Sequence, residues 1–205
     1  PKFDPNARFV SATNKRETSN RSAWAAQVMA TYDLKNMFAK YSPSISGTYT
    51  YLSGAERDRT ANGAYKGWDP MFEDQTVGHI MNAVFANTNM QRASLSGKAK
   101  LTDDITANVD YVVAAFAKKY TDQRQAVLSG IATATADARI YRMGKGAYIG
   151  QEIDASLTYD YTEDVQFSLL GGILIPSKNV NGNTVGNKNL RASAGELIGS
   201  MKVTF

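Results

Sequence analysis

The feature that most constrains this chain is the period of its hydrophobic pattern. The period is two, and it persists over unusually long runs. From Tyr148 to Tyr161, residues Ile149, Ile153, Ala155, Leu157, Tyr159 and Tyr161 share one parity; Gly150, Glu152, Asp154, Ser156, Thr158 and Asp160 share the other. Side chains that alternate in this way belong to a β-strand with one apolar and one polar face. After the polar turn Thr162-Glu163-Asp164 the pattern repeats. Val165, Phe167, Leu169, Gly171, Ile173 and Ile175 oppose Gln166, Ser168 and Gly172, with Leu170 and Leu174 as exceptions. A second such hairpin turns at Thr102-Asp103-Asp104. It sets Ala93, Leu95, Gly97, Ala99 and Leu101 against Arg92, Ser94, Ser96, Lys98 and Lys100, then Val109, Tyr111 and Val113 against Thr106, Asn108 and Asp110. Runs at 24–33, 44–51 and 192–205 alternate likewise, although the Ala-rich segment 22–34 also suits a helix.

Seven strands of roughly 11 to 14 residues follow from these runs. Strands of water-soluble proteins usually run about 5 to 6 residues, whereas tilted bilayer-crossing strands need about 9 to 11. The connections alternate between short (35–40, 102–105, 162–164) and long (54–89, 119–147, 177–191). That is the habit of outer-membrane barrels, with short periplasmic turns and long extracellular loops. The aromatics fall into two belts. Tyr32, Tyr41, Tyr159, Tyr161, Phe167 and Phe205 lie toward the short-turn end, and Trp24, Tyr49, Tyr51, Phe116 and Tyr148 toward the other. Trp24, Tyr32, Tyr41, Tyr159, Tyr161, Phe167 and Phe205 are the expected lipid-facing girdle. The expected fold is thus all-β, an antiparallel transmembrane β-barrel. A soluble barrel with these aromatics in its core is the competing reading.

One segment has a different period. In 76–86, Val77, Ile80, Met81, Val84 and Phe85 recur at helical spacing, with Asp74 or Thr76 as a candidate cap. A short amphipathic helix is therefore expected inside the long extracellular loop 54–89, packed in the lumen or on the rim. The segment 129–138 is expected to extend neighbouring strands, and the Asn- and Gly-rich 179–189 to form a flexible loop tip.

Composition removes most chemistry. The 205 residues include no cysteine and one histidine, His79. That denies the chain thiolate catalysis, covalent haem attachment and any cysteine or multi-histidine metal site. No GxSxG elbow, P-loop or GxGxxG is present. The pairs Asp103-Asp104 and Glu163-Asp164 sit in expected turns, which explains them better than acid–base work. No enzyme activity, cofactor or metal is expected. A net charge of +4 does not point to nucleic acid. No stretch approaches the roughly 18 apolar residues of a membrane helix.

The charges on the polar parity are the functional candidates. Arg92, Lys98, Lys100, Asp110, Glu152, Asp154, Asp160, Glu196 and Lys202 are expected to line a water-filled lumen and set its permeation field. Arg92, Lys98 and Lys100 form a basic ladder suited to an anionic solute, or pair with the acidic strands and leave little net field. Loop 119–147 carries five basic residues (Lys119, Arg124, Arg139, Arg142, Lys145) against Asp122 and Asp137. Attraction of anions or lipopolysaccharide phosphates competes there with ordinary loop solubility.

The order of several motifs resembles the alginate-export family of outer-membrane porins. They are Pro43-x-Ile45-x-Gly47-x-Tyr49-x-Tyr51-x-Ser53-Gly54, then Gly67-Trp68-Asp69-Pro70-Met71-Phe72, Leu101-Thr102-Asp103-Asp104, and Gly150-x-Glu152-Ile153-Asp154 leading to Tyr159-x-Tyr161. The C-terminal Phe205 on an alternating strand resembles the signal read by barrel-assembly machinery. The resemblance spans about residues 22 to 205. It implies a single-chain barrel of about 18 strands in a Gram-negative-type outer membrane. Such a barrel contacts lipid and lipopolysaccharide and passes a polyanionic or small polar solute. Seven or eight strands would be its C-terminal part, with 1–21 an extracellular loop or a partial strand around Arg8 to Thr13. The sequence, beginning at Pro1 without a signal peptide, reads as a mature chain or a fragment. The alternative function is a structural barrel: a sheath, scaffold or adhesin, with a partner protein in the lumen or at the periplasmic face.

Overall fold

The structure is a computed structural model. It describes residues 22–34, 36, 38–54, 66–69, 76–85, 87–119, 124–127, 140–143, 146–184, 188–190 and 193–205. In chain order the elements are β1 (Ala25–Asp33), β2 (Ser44–Leu52), α1 (His79–Val84), β3 (Met90–Lys100), β4 (Ile105–Phe116), β5 (Arg124–Val127), β6 (Ile140–Met143), β7 (Tyr148–Asp160), β8 (Val165–Pro176), β9 (Val180–Thr184), β10 (Lys188–Leu190) and β11 (Ala194–Val203). Among the described residues the protein is all-β apart from α1. Seven long strands form one antiparallel sheet in the order β1-β2-β3-β4-β7-β8-β11. Among the described residues that sheet is open, with β1 and β11 as its edges. Four short strands form a second sheet, β10-β9-β6-β5.

The alternation is what makes 22–34 a strand and not a helix, since β1 pairs with β2 along its whole length. The long strands run 9 to 13 residues, shorter at β1, β2 and β11 than the sequence pattern suggests. Two of the short turns share one device. Thr102 Oγ1 accepts the Ile105 N–H at 3.0 Å, and Thr162 Oγ1 accepts the Val165 N–H at 3.1 Å. A hydroxyl that closes its own turn explains the paired carboxylates beside it as turn residues. The first turn is longer, and Tyr41 O ties it to β3 by accepting the Lys100 N–H at 2.8 Å. The expected loop tip 179–189 contains paired backbone on both sides of 185–187, which lie outside the described residues. β9 and β10 form a hairpin, and β9 pairs with β6. The stretch 129–138, the candidate strand at Arg8 to Thr13 and the candidate cap Asp74 lie outside the described residues.

Register carries the parity of the sequence into two sheet faces. One transverse row of the first face reads Gly47–Leu95–Tyr111–Ile153–Ile173–Gly195, and the next reads Ile45–Gly97–Val109–Ala155–Gly171–Leu197. This face is apolar and, among the described residues, uncovered. Leu95, Val109, Tyr111, Ile153, Leu157, Leu169, Ile173 and Leu197 are all at least 40% exposed. The small core lies on the other face, toward the long-loop end. There Ile80, Met81 and Phe85 pack with Met90, Val112, Ala114, Phe116, Ile149 and Leu174. Two corrections follow. Phe116 belongs to this core and not to an outer aromatic belt. Ile149 leaves the parity of Ile153, because β7 has an extra residue opposite Ala114 and Ala115. Such a bulge turns the side chain to the opposite face.

Candidate functional site

All nine charges on the polar parity lie on the face that bears α1, and the girdle aromatics Tyr32, Tyr159 and Phe167 lie on the apolar face. Trp24 extends that apolar face by stacking on Tyr51, with ring centroids 4.6 Å apart. Tyr161 packs edge-on against Tyr159 and Phe167. Tyr41 sits in the first turn under the Lys40 ammonium, and Phe205 is fully exposed past the end of β11. Toward the long-loop end, Tyr49 and Tyr111 donate their hydroxyls to Gln91 and Gln151 at 2.8 and 2.7 Å. Each ring stays on the apolar face while its polar tip is satisfied.

The charges divide into two sets. Lys98, Lys100, Asp160 and Lys202 are exposed, while Asp110 and Glu196 are half-buried. Arg92, Glu152 and Asp154 are buried, at 4, 0 and 1% exposure, beneath α1. They do not face open water, as the expected lumen lining requires. The Arg92–Lys98–Lys100 ladder is broken for the same reason.

The geometry of α1 explains the burial. The helix is shorter than the expected 76–86, and Thr76 does not cap it. Gly78 is the N-cap, at φ 108, and no side chain of the segment caps the first turn. A helix start leaves backbone N–H groups without intrahelical partners. Here β7 supplies the acceptors. Glu152 Oε1 accepts from the Ile80 N–H at 2.8 Å and Oε2 from Met81 at 2.7 Å; Asp154 Oδ2 accepts from His79 at 3.2 Å. Carboxylates at a helix N-terminus also meet the positive end of its dipole. His79 itself is exposed, so the one histidine serves by its backbone.

Arg92 grips the same segment from β3. Its guanidinium donates to Asn82 Oδ1 at 2.6 Å, Val77 O at 3.3 Å and Met81 O at 3.5 Å, and to Thr76 Oγ1. Its Nε lies 2.9 Å from Met90 Sδ. Asn82 Nδ2 returns a bond to Thr76 O at 2.5 Å, so the turn before α1 and its second residue pair close on each other. A neighbouring knot fixes the loop ends. Asn89 accepts the Lys118 N–H at 2.9 Å, and Ser53 O accepts N–H groups from Trp68 and Asn89.

Sequence reasoning found the charges but not what they hold. The available signal was Tyr111 to Ala117, where apolar residues fill both parities. Apolar residues on the otherwise polar parity call for a cover on that face too. Among the described residues, no group of three or more His, Cys, Asp or Glu has the arrangement to hold a metal ion, and no helix is long and apolar enough to cross a membrane. No family model, curated protein or solved structure matches the chain.

Proposed function

We propose that this chain forms wall strands of a bacterial outer-membrane β-barrel porin or exporter, passively conducting a hydrophilic solute along its polar face. The observation that carries the reading is the division of the seven-stranded sheet into a continuous exposed apolar face and a face holding every charged strand residue named above. An apolar surface of that extent is a liability in water and is solvated by lipid. Strands of 9 to 13 residues suit the bilayer, and the aromatics near both ends of the apolar face suit its two interfaces. The resemblance to the alginate-export family supports the same reading and favours an anionic solute. Lys98 and Lys100 remain exposed for that role, whereas Arg92 is committed to α1.

A structural or partner-holding barrel is the second reading. It is favoured by α1, which fills part of the polar face instead of leaving it to water. Reconstitution of the protein purified from its native membrane into planar bilayers separates the two. Steady ohmic current is expected for a porin. Membrane insertion without current would overturn conduction and leave the holder.

A further inference from the structure

The transverse row through Asp154 differs from the rest of the polar face. It runs Ser96–Asp110–Asp154–Gly172–Glu196 across β3, β4, β7, β8 and β11, with three carboxylates and no basic residue. Across β4, β7, β8 and β11 the two adjoining rows carry no basic residue either. Asp110 is occupied by the Asn108 side-chain amide, and both oxygens of Glu152 by the first turn of α1. Asp154 and Glu196 are different. Asp154 Oδ1, on a residue 1% exposed, and Glu196 Oε1 are both buried and have no hydrogen-bond donor among the described residues.

These two oxygens converge. They flank Gly172, the residue paired with both. The point where a Cβ on Gly172 would sit is 2.5 Å from Asp154 Oδ1 and 3.2 Å from Glu196 Oε1. The missing side chain thus lets two carboxylate oxygens close in over the Gly172 Cα. A buried carboxylate oxygen without a donor is costly, and two facing each other repel. A hard cation removes both costs, because calcium takes carboxylate oxygens at about 2.3 to 2.6 Å and fills its other positions with water. Half-buried Glu196 gives such an ion a route from solvent.

We infer that Asp154 and Glu196 bind a divalent cation of the calcium type over Gly172, within the polar face of the sheet. The site clamps β11, an edge strand, to β7 across β8, whether or not the sheet conducts. Two protein carboxylates give weak binding, with a dissociation constant between about 0.1 and 1 mM.

The test is calcium titration of the full chain in detergent by equilibrium dialysis, with magnesium and potassium as competitors. One saturable calcium site per chain is expected. Glu196→Gln should weaken binding at least tenfold while keeping the β-sheet circular dichroism, since Glu196 takes no part in holding α1. Gly172→Ala should do the same, because its methyl group would crowd both carboxylate oxygens out of their shared position. No saturable binding, or binding unchanged in Glu196→Gln, would overturn the assignment. So would a protonated-carboxylic-acid infrared band at neutral pH that persists in saturating calcium and vanishes in Glu196→Gln, because the pair would then share a proton instead.

Discussion

Replacing Glu152 by Gln tests whether the buried carboxylate is what docks α1. In the wild type two oxygens accept two backbone N–H groups at 2.8 and 2.7 Å. Glutamine keeps one acceptor and turns an NH2 toward the other N–H. A hydrogen bond to a charged group contributes about 1.5–3 kcal/mol, and a buried donor left unpaired costs a comparable amount. Some relaxation of the amide is available, so a net loss of about 2 kcal/mol is expected, a factor of about 30 in the opening of the segment. Peptide-resolved hydrogen exchange over 76–85 reads that factor directly, because the Ile80 and Met81 amides exchange only when α1 lifts. Asp160→Asn is the control. Asp160 lies on the same face, but it is exposed, and its carboxylate accepts from Gln166 Nε2 at 2.7 Å. Exchange in Glu152→Gln within twofold of wild type would refute the argument. So would an equal acceleration in Asp160→Asn.

Three further outcomes follow from the same geometry. Arg92→Lys should loosen the same peptide by about 1.5–3 kcal/mol, because one ammonium cannot span Thr76, Asn82 and the Val77 and Met81 carbonyls; hydrogen exchange of 76–85 checks it. Gly150→Ala places a Cβ 2.5 Å from Ile175 O and should cost about 1–3 kcal/mol, whereas Gly47→Ala meets nothing within 4 Å and should stay within about 0.5 kcal/mol; urea titration of the micelle-folded protein compares the two. Leu157→Arg, on the apolar face, should cost about 2–4 kcal/mol in lipid vesicles, and Thr158→Arg on the polar face far less, read from unfolding midpoints in the same vesicles.

The alternation made the seven long strands, their turns and the division of their faces legible. Both depend only on residues two apart and on local turn chemistry, as in Thr102-Asp103-Asp104 and Thr162-Glu163-Asp164. The places where the pattern misleads are those where tertiary packing decides. Ile149 has the parity of the apolar face, but a bulge sends it into the core. Leu174 looks like an error in the pattern and is instead a core residue under α1. Val112, Ala114 and Phe116 share a parity with Asp110, and only the presence of a cover makes sense of them. The cover is a six-residue helix whose capping groups sit more than 70 residues later in the chain. No local capping signal can reveal such an arrangement. For the same reason Glu152 and Asp154 read as lumen charges in sequence and are buried acceptors in the fold.

The central claim is that the apolar face of the seven-stranded sheet meets lipid and that the opposite face, where α1 does not cover it, meets water. The absence of cysteine allows single labels to be introduced without background. Nitroxide labels placed one at a time along 153–160 and 165–171, in protein reconstituted into lipid vesicles, report collision with oxygen and with a water-soluble nickel complex. The account predicts a period of two. Oxygen access should peak at Ile153, Ala155, Leu157, Phe167 and Leu169, and nickel access at Ser156, Thr158 and Ser168. Equal nickel access at both parities, or no incorporation into vesicles, would contradict it.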